Sequence, residues 1–193
     1  MDILIPAAGR SSRMRGEDKL ALEIDGIPLL RRTVLTAQVM RMDIIVTLRV
    51  NDPRRALIAD LDVEIREVPD ADEGLAASLR KGAEGAGALM VLPADMPDIT
   101  RHDLMTMRAQ MHLHATRILR ACASDGTPGH PVAFPAFLRP EFQALRGDTG
   151  ARPILQAHAE RVLDVLLPGH HATTDLDTPE AWAAWRASQS GAG

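Results

Sequence analysis

Residues 2–14 read Asp2-Ile3-Leu4-Ile5-Pro6-Ala7-Ala8-Gly9-Arg10-Ser11-Ser12-Arg13-Met14. The run from Asp2 to Pro6 is short and apolar and stops at three small residues, the pattern of a buried parallel strand feeding a loop. Small side chains there let backbone N–H groups approach an anion. Arg10, Arg13, Arg15 and Lys19 add positive charge within ten residues, opposed only by Glu17 and Asp18. The stretch is neither a Walker A loop nor a G-x-G-x-x-G dinucleotide fingerprint. An ordinary strand-to-helix turn carrying surface arginines is the competing reading.

Downstream, residues 28–42 place Leu29, Leu30, Val34, Ala37 and Met40 near helical spacing, with Pro28 suited to a first turn. Strands are expected at 44–50 and 63–68, with a helix at 53–60 between them. A helix at 74–84, a buried strand at 88–93 and a helix at 101–111 capped by Thr100 follow. This alternation implies an α/β fold with a mainly parallel sheet and helices on both faces, in which ligands sit beyond the carboxyl ends of the strands. Beyond Ala115, glycine and proline punctuate short segments. They are read as an insertion or cap around a strand at 131–134, followed by a helix at 153–160, a strand at 161–167 and a closing helix at 179–188. Residues 1–188 are expected to form one domain and 189–193 a frayed tail.

The 193 residues carry a net charge of −4, with 46% hydrophobic and 25% charged side chains. That balance fits a globular chain and argues against a general nucleic-acid binder. No apolar run approaches a membrane span. The first strand begins at Asp2, with no room before it for a signal peptide, so a cytoplasmic protein is expected. Cys122 is the only cysteine and lies among apolar neighbours, which suits packing rather than reactivity. His112 and His114, and His170 and His171, lack acidic or cysteine partners at ligand spacing and read as surface residues.

Pro93-Ala94-Asp95-Met96-Pro97 ends a long apolar strand, which puts Asp95 where a hard cation could bridge phosphates. Ordering of the turn before Pro97 is the alternative role.

Together, the 5–14 segment with Lys19, Leu92–Pro97, Gly129-His130-Pro131-Val132, Gly147-Asp148-Thr149-Gly150-Ala151-Arg152 and Asp175-Leu176-Asp177-Thr178-Pro179-Glu180 resemble the MobA-like nucleotidyltransferases, in particular molybdenum cofactor cytidylyltransferases. The motifs run in order over almost the whole chain. The resemblance implies a Rossmann-like fold of the nucleotide-diphospho-sugar transferase type. It also implies that Pro6, Ala7, Ala8, Gly9, Arg10, Ser11, Ser12, Arg13 and Lys19 bind CTP or GTP, and that Gly74 and Ser78 contact base and ribose. Mg²⁺ would be held by Asp95 with Asp175 or Asp177, which alternate on one side of an expected strand so that both could face the metal; N-capping of the last helix is an alternative for Asp177. Ser78 has a capping alternative too. Two departures stand out: the run from Met14 to Lys19 is one residue longer than usual, and Arg15 stands where a glycine is common.

The implied reaction is attack of an acceptor phosphate on the nucleotide α-phosphate with release of pyrophosphate. A phosphate monoester is already mostly dianionic at neutral pH, so positioning and charge neutralisation by Asp95, Arg13 and Lys19 matter more than a general base. His130, Asp148 and Arg152 are expected at the acceptor, which the Gly147–Arg152 loop favours as molybdopterin or molybdenum cofactor, with a molybdoenzyme or its chaperone downstream. A cytidylyltransferase for another phosphorylated acceptor, a guanylyltransferase and a nucleotide-binding delivery protein without turnover are the rivals. Ala8 favours CTP, because guanylyltransferases usually carry glycine there and a methyl would crowd a purine.

Overall fold

A computed structural model describes residues 1–190. The strands are β1 (Asp2–Pro6), β2 (Glu23–Ile24), β3 (Ile27–Pro28), β4 (Asp43–Arg49), β5 (Glu64–Val68), β6 (Leu89–Val91), β7 (Ile118–Cys122), β8 (Pro128–Phe134) and β9 (Val162–Leu166). The α-helices are α1 (Leu29–Ala37), α2 (Leu75–Gly82), α3 (Arg101–Leu113), α4 (Arg152–Ala157) and α5 (Pro179–Ser190). Seven strands form one sheet in the order β5-β4-β1-β6-β8-β7-β9, while β2 and β3 make a small separate hairpin. Within the large sheet only β8 runs against its neighbours.

Strand β1 is central and its side chains alternate between two cores. Ile3 and Ile5 join the core under α1, α3 and α5, whereas Leu4 joins Leu79 of α2, Phe134 and Phe142 on the other face. Helix α3 begins with a capping box: Thr100 Oγ1 accepts from the Asp103 amide at 3.2 Å and Asp103 Oδ2 from the Thr100 amide at 2.8 Å.

Several expectations are corrected. The 131–134 strand is no insertion: β8 lies inside the sheet, with Val132 beside Val91 and Ala133 beside both Met90 and Leu119. Strand β7 went unread because the glycines and prolines around it looked like loop. Gly129, His130 and Pro131 sit where the β7–β8 register shifts, so the prolines do not interrupt a regular ladder. Residues 175–178 form no strand, and segment 53–60 is a short 3-10 turn rather than an α-helix. The tail placed at 189–193 begins too early, because α5 runs to Ser190; its last three residues lie outside the described ones.

Candidate active site

The chain passes from β1 to β4 and β5 on one side of the sheet and then returns to place β6 on the other side of β1. The crevice beyond β1 and β6 is therefore the topological switch point, where doubly wound sheets take their ligands. It opens as a cleft of about 660 Å³ lined by Pro6 to Arg13, Lys19, Ser78, Asp95, His130, Asp148 to Arg152 and Asp177, with an apolar wall of Leu75, Leu79, Val91, Val132, Phe134 and Leu155.

At its polar end the Lys19 ammonium donates to both Asp95 and Asp177, the latter at 2.5 Å. Backbone pairing brings these distant residues together: the Leu176 amide donates to the Asp95 carbonyl at 3.1 Å and pins the 175–177 segment to the end of β6. Arg13 also donates to Asp177, at 2.7 Å, and Arg15 to Glu180, at 2.5 Å. Burial alone would lower the Lys19 pKa, but the Asp95 and Asp177 carboxylates outweigh it and hold the ammonium above its ordinary value. Burial likewise pushes Asp177 up, and the Lys19 and Arg13 cations reverse that and leave its carboxyl below the usual range. Both partners thus stay ionised at neutral pH.

The two candidate aspartates are distinguished by this geometry. Asp177 lines the cleft, whereas Asp175 is exposed beside it, its pKa raised by partial burial and by the neighbouring Asp177 and Asp95 carboxylates. Capping does not explain Asp177, since Thr178 Oγ1 takes the Ala181 amide at 3.1 Å at the start of α5. Among the described residues no three His, Cys, Asp or Glu side chains gather as a metal cluster; Asp95 and Asp177 meet on the Lys19 ammonium.

Other sequence-predicted residues fall into different places. Gly74 does not line the cleft. Its backbone has φ +114°, and a Cβ there would lie 2.3 Å from Asp148 Oδ1, so glycine is needed for close approach of the 147–148 loop. Asp148 lines the cleft while its Oδ1 takes the Leu75 amide at 3.0 Å, and the Gly147 carbonyl takes the Ala76 amide at 2.9 Å. These bonds satisfy the start of α2 and remove the capping role left open for Ser78, which is buried inside that helix on the cleft side. His130 borders the cleft and is exposed to it, and desolvation by the surrounding protein lowers its pKa against the opposing pull of Asp95 and Asp175, favouring neutral imidazole at pH 7. Arg152 is exposed, lines the cleft and has no ion-pair partner among the described residues, unlike Arg10 and Arg13.

A family model described as the MobA-like NTP transferase domain matches residues 3–162. The chain belongs to the MobA-like NTP transferase family. It is a nucleotidyltransferase of the MobA-like type. It is 30% identical over 189 residues to the molybdenum cofactor guanylyltransferase of Pseudomonas aeruginosa strain PAO1, covering 95% of this chain and 93% of that one. It is 27% identical to the purine catabolism protein PucB of Bacillus subtilis strain 168, covering 95% of each. In fold it is similar to the homologue of Mycobacterium tuberculosis Rv0371c from Mycobacterium sp. strain JC1, with a TM-score of 0.79, 23% identity and coverage of 97% and 95%.

In this MobA-like chain Arg15 has φ 54° and ψ 34°, a left-handed backbone that explains why glycine suits its position. The additional residue before Lys19 does not keep the lysine from Asp95 and Asp177. Cys122 is fully buried, as its neighbours suggested, and no described helix is long and apolar enough to cross a membrane. His171 departs from the surface reading: its Nδ1 lies 2.9 Å from the buried Asp103 Oδ2. Sequence reasoning passed over Arg49 and Arg54. Arg49 Nε donates to the Ala8 carbonyl at 3.0 Å; Arg54 Nη1 donates to those of Ala7 and Gly9 at 2.6 and 2.8 Å. Nothing local marks them, since their targets lie more than forty residues away.

Proposed function

We propose that this MobA-like enzyme transfers CMP from CTP to a phosphate-bearing acceptor, molybdopterin or molybdenum cofactor, and releases pyrophosphate. The observation that carries the reading is the Lys19 ammonium gripped by Asp95 and Asp177 beside the 7–13 loop, which sets cations and carboxylates against a bed of backbone amides. The triphosphate lies along that loop, with Arg13 and Lys19 on its oxygens. Arg10 and Arg13 are mostly exposed in their ion pairs, and such pairs are weak enough to exchange for phosphate.

Two converging carboxylates suit Mg²⁺, which takes one or two protein carboxylates and completes its shell with phosphate oxygens and water. Asp95 and Asp177 would hold it, and when bound it supplies positive charge to the phosphates. The remaining work is positioning. An oxygen of the acceptor phosphate forms a bond to the α-phosphorus, the bond from the α-phosphorus to the bridging oxygen breaks, and pyrophosphate departs with that electron pair. Arg152, the cleft arginine without a carboxylate partner, orients the acceptor phosphate. The apolar wall suits a flat ring system such as a pterin.

Arg13→Ala and Lys19→Ala are each expected to weaken CTP binding about tenfold or more, as loss of a charge-assisted hydrogen bond costs about 1.5–3 kcal/mol. Isothermal titration measures this directly. Unchanged affinity in both variants would move the nucleotide elsewhere.

Base choice rests on Ala8, although the Pseudomonas relative is named a guanylyltransferase. The Ala8 methyl packs with Val68, Ala71 and Ala77 and is only 2% exposed, so it does not meet a base directly. Its packing against Ala77 of α2 instead sets how closely the loop backbone approaches that helix. Ala8→Gly lets the loop settle and enlarges the purine space. Competition between equal CTP and GTP is expected to favour CTP in the wild type and to shift toward GTP in Ala8→Gly by about tenfold, the scale of one methyl group in discrimination. A wild type preferring GTP would assign guanylyl transfer to the same site. Side-by-side pyrophosphate release with molybdopterin, its metal-loaded form and a sugar phosphate tests the acceptor; release with the sugar phosphate alone would overturn the molybdopterin reading.

A further inference from the structure

We infer that Arg54 is a positioning residue that, with Arg49, turns the backbone of the 7–10 loop so that three successive amides face the nucleotide phosphates. The inference rests on the nucleotide reading of that loop. It starts from peptide geometry. In a trans peptide the N–H points away from the C=O of the same unit, so fixing the carbonyl of one residue fixes the amide of the next. The carbonyls of Ala7 and Gly9 accept from Arg54 Nη1, and that of Ala8 accepts from Arg49 Nε. The amides of Ala8, Gly9 and Arg10 are thereby directed to the other side of the loop. None of the three has an acceptor among the described residues, and Ala8, Gly9 and Arg10 line the cleft. A carbonyl oxygen facing a phosphate would repel it, whereas consecutive amides form an anion-binding concavity.

The arginine behind the loop is itself held. Its side chain is 8% exposed, its Nε donates to Asp18 Oδ2 at 2.6 Å, and its own amide donates to Asp52 Oδ1 at 3.0 Å. Asp18 Oδ1 takes the Leu20 amide at 3.1 Å, which ties the same network to the residue after Lys19. A planar guanidinium can serve Asp18 and two carbonyls at once, and a lysine ammonium at the same place cannot reproduce that fork. Arg54 needs no contact with the nucleotide to act.

The test compares wild type, Arg54→Lys and Asp18→Asn by thermal melting and by titration with CTP and GTP. Wild-type protein that binds neither nucleotide overturns the nucleotide reading and this inference with it. Given wild-type binding, folded Arg54→Lys is expected to lose about tenfold or more in nucleotide affinity, with a raised nucleotide KM and an acceptor KM within about twofold of wild type. A stably folded Arg54→Lys with wild-type nucleotide affinity overturns the inference. If Arg54→Lys does not fold, Asp18→Asn decides: weakened nucleotide binding by the folded variant supports the positioning role, and unchanged binding overturns it.

Discussion

Asp95→Ala is expected to reduce nucleotidyl transfer by about 10³-fold or more while leaving the protein folded. The loss follows from the position of the carboxylate, which faces Asp177 across the Lys19 ammonium in the cleft of the proposed reaction. A charge partner acting on the phosphates in the transition state contributes several kcal/mol, and each 1.4 kcal/mol is about tenfold in rate. The fold should survive for three reasons. Asp95 sits in the turn after β6 rather than in the core; its backbone carbonyl, which anchors Leu176, is untouched by the substitution; and Lys19 keeps Asp177 as a partner. Pyrophosphate release alongside a thermal melt makes the measurement. Near-normal turnover by a folded variant would remove Asp95 from the chemistry.

Asp95 and the loop after β1 were legible because local sequence announces them: an apolar run ends, small residues or an acid follow, and the switch-point rule does the rest. The same signals failed between residues 118 and 134. There, Pro128, Gly129 and Pro131 imitate a loop while occupying an irregular stretch of a central strand. Period alone cannot separate these cases, since ladder partners decide whether a proline interrupts anything. The choice between Asp175 and Asp177 also needed tertiary structure. Both are two residues apart on a segment without strand geometry, and the bond from Leu176 to Asp95 determines which carboxylate faces Lys19. Arg54 is the extreme case. Apart from Asp18, its loop partners are the backbone carbonyls of Ala7 and Gly9, which carry no side-chain identity to recognise in a sequence.

Gly129→Ala is expected to damage both stability and activity, because a Cβ at that position would lie 1.9 Å from the Ala172 carbonyl oxygen and 2.6 Å from its carbon. Those neighbours are backbone and cannot rotate aside. The His130 amide donates to the same carbonyl at 2.8 Å, so the two segments are clamped where the methyl would have to go. Relief requires β8 and the 168–174 turn to separate. Overpacking of this kind costs about 1–3 kcal/mol, and for a chain of this size each kcal/mol lowers the melting temperature by about 2–4 °C. The effect on transfer should exceed the effect on folding. Ala172 lies four residues before Leu176 and five before Asp177, so a shift of the turn is passed along the chain to the anchor at Asp95 and the carboxylate on Lys19. Turnover measured well below the melting temperature is therefore expected to fall at least tenfold, a change that partial unfolding would not produce there. A Gly129→Ala protein that melts with the wild type and turns over normally would show that β8 and the Ala172 turn do not approach this closely, and the route by which Asp177 reaches the site would have to be redrawn.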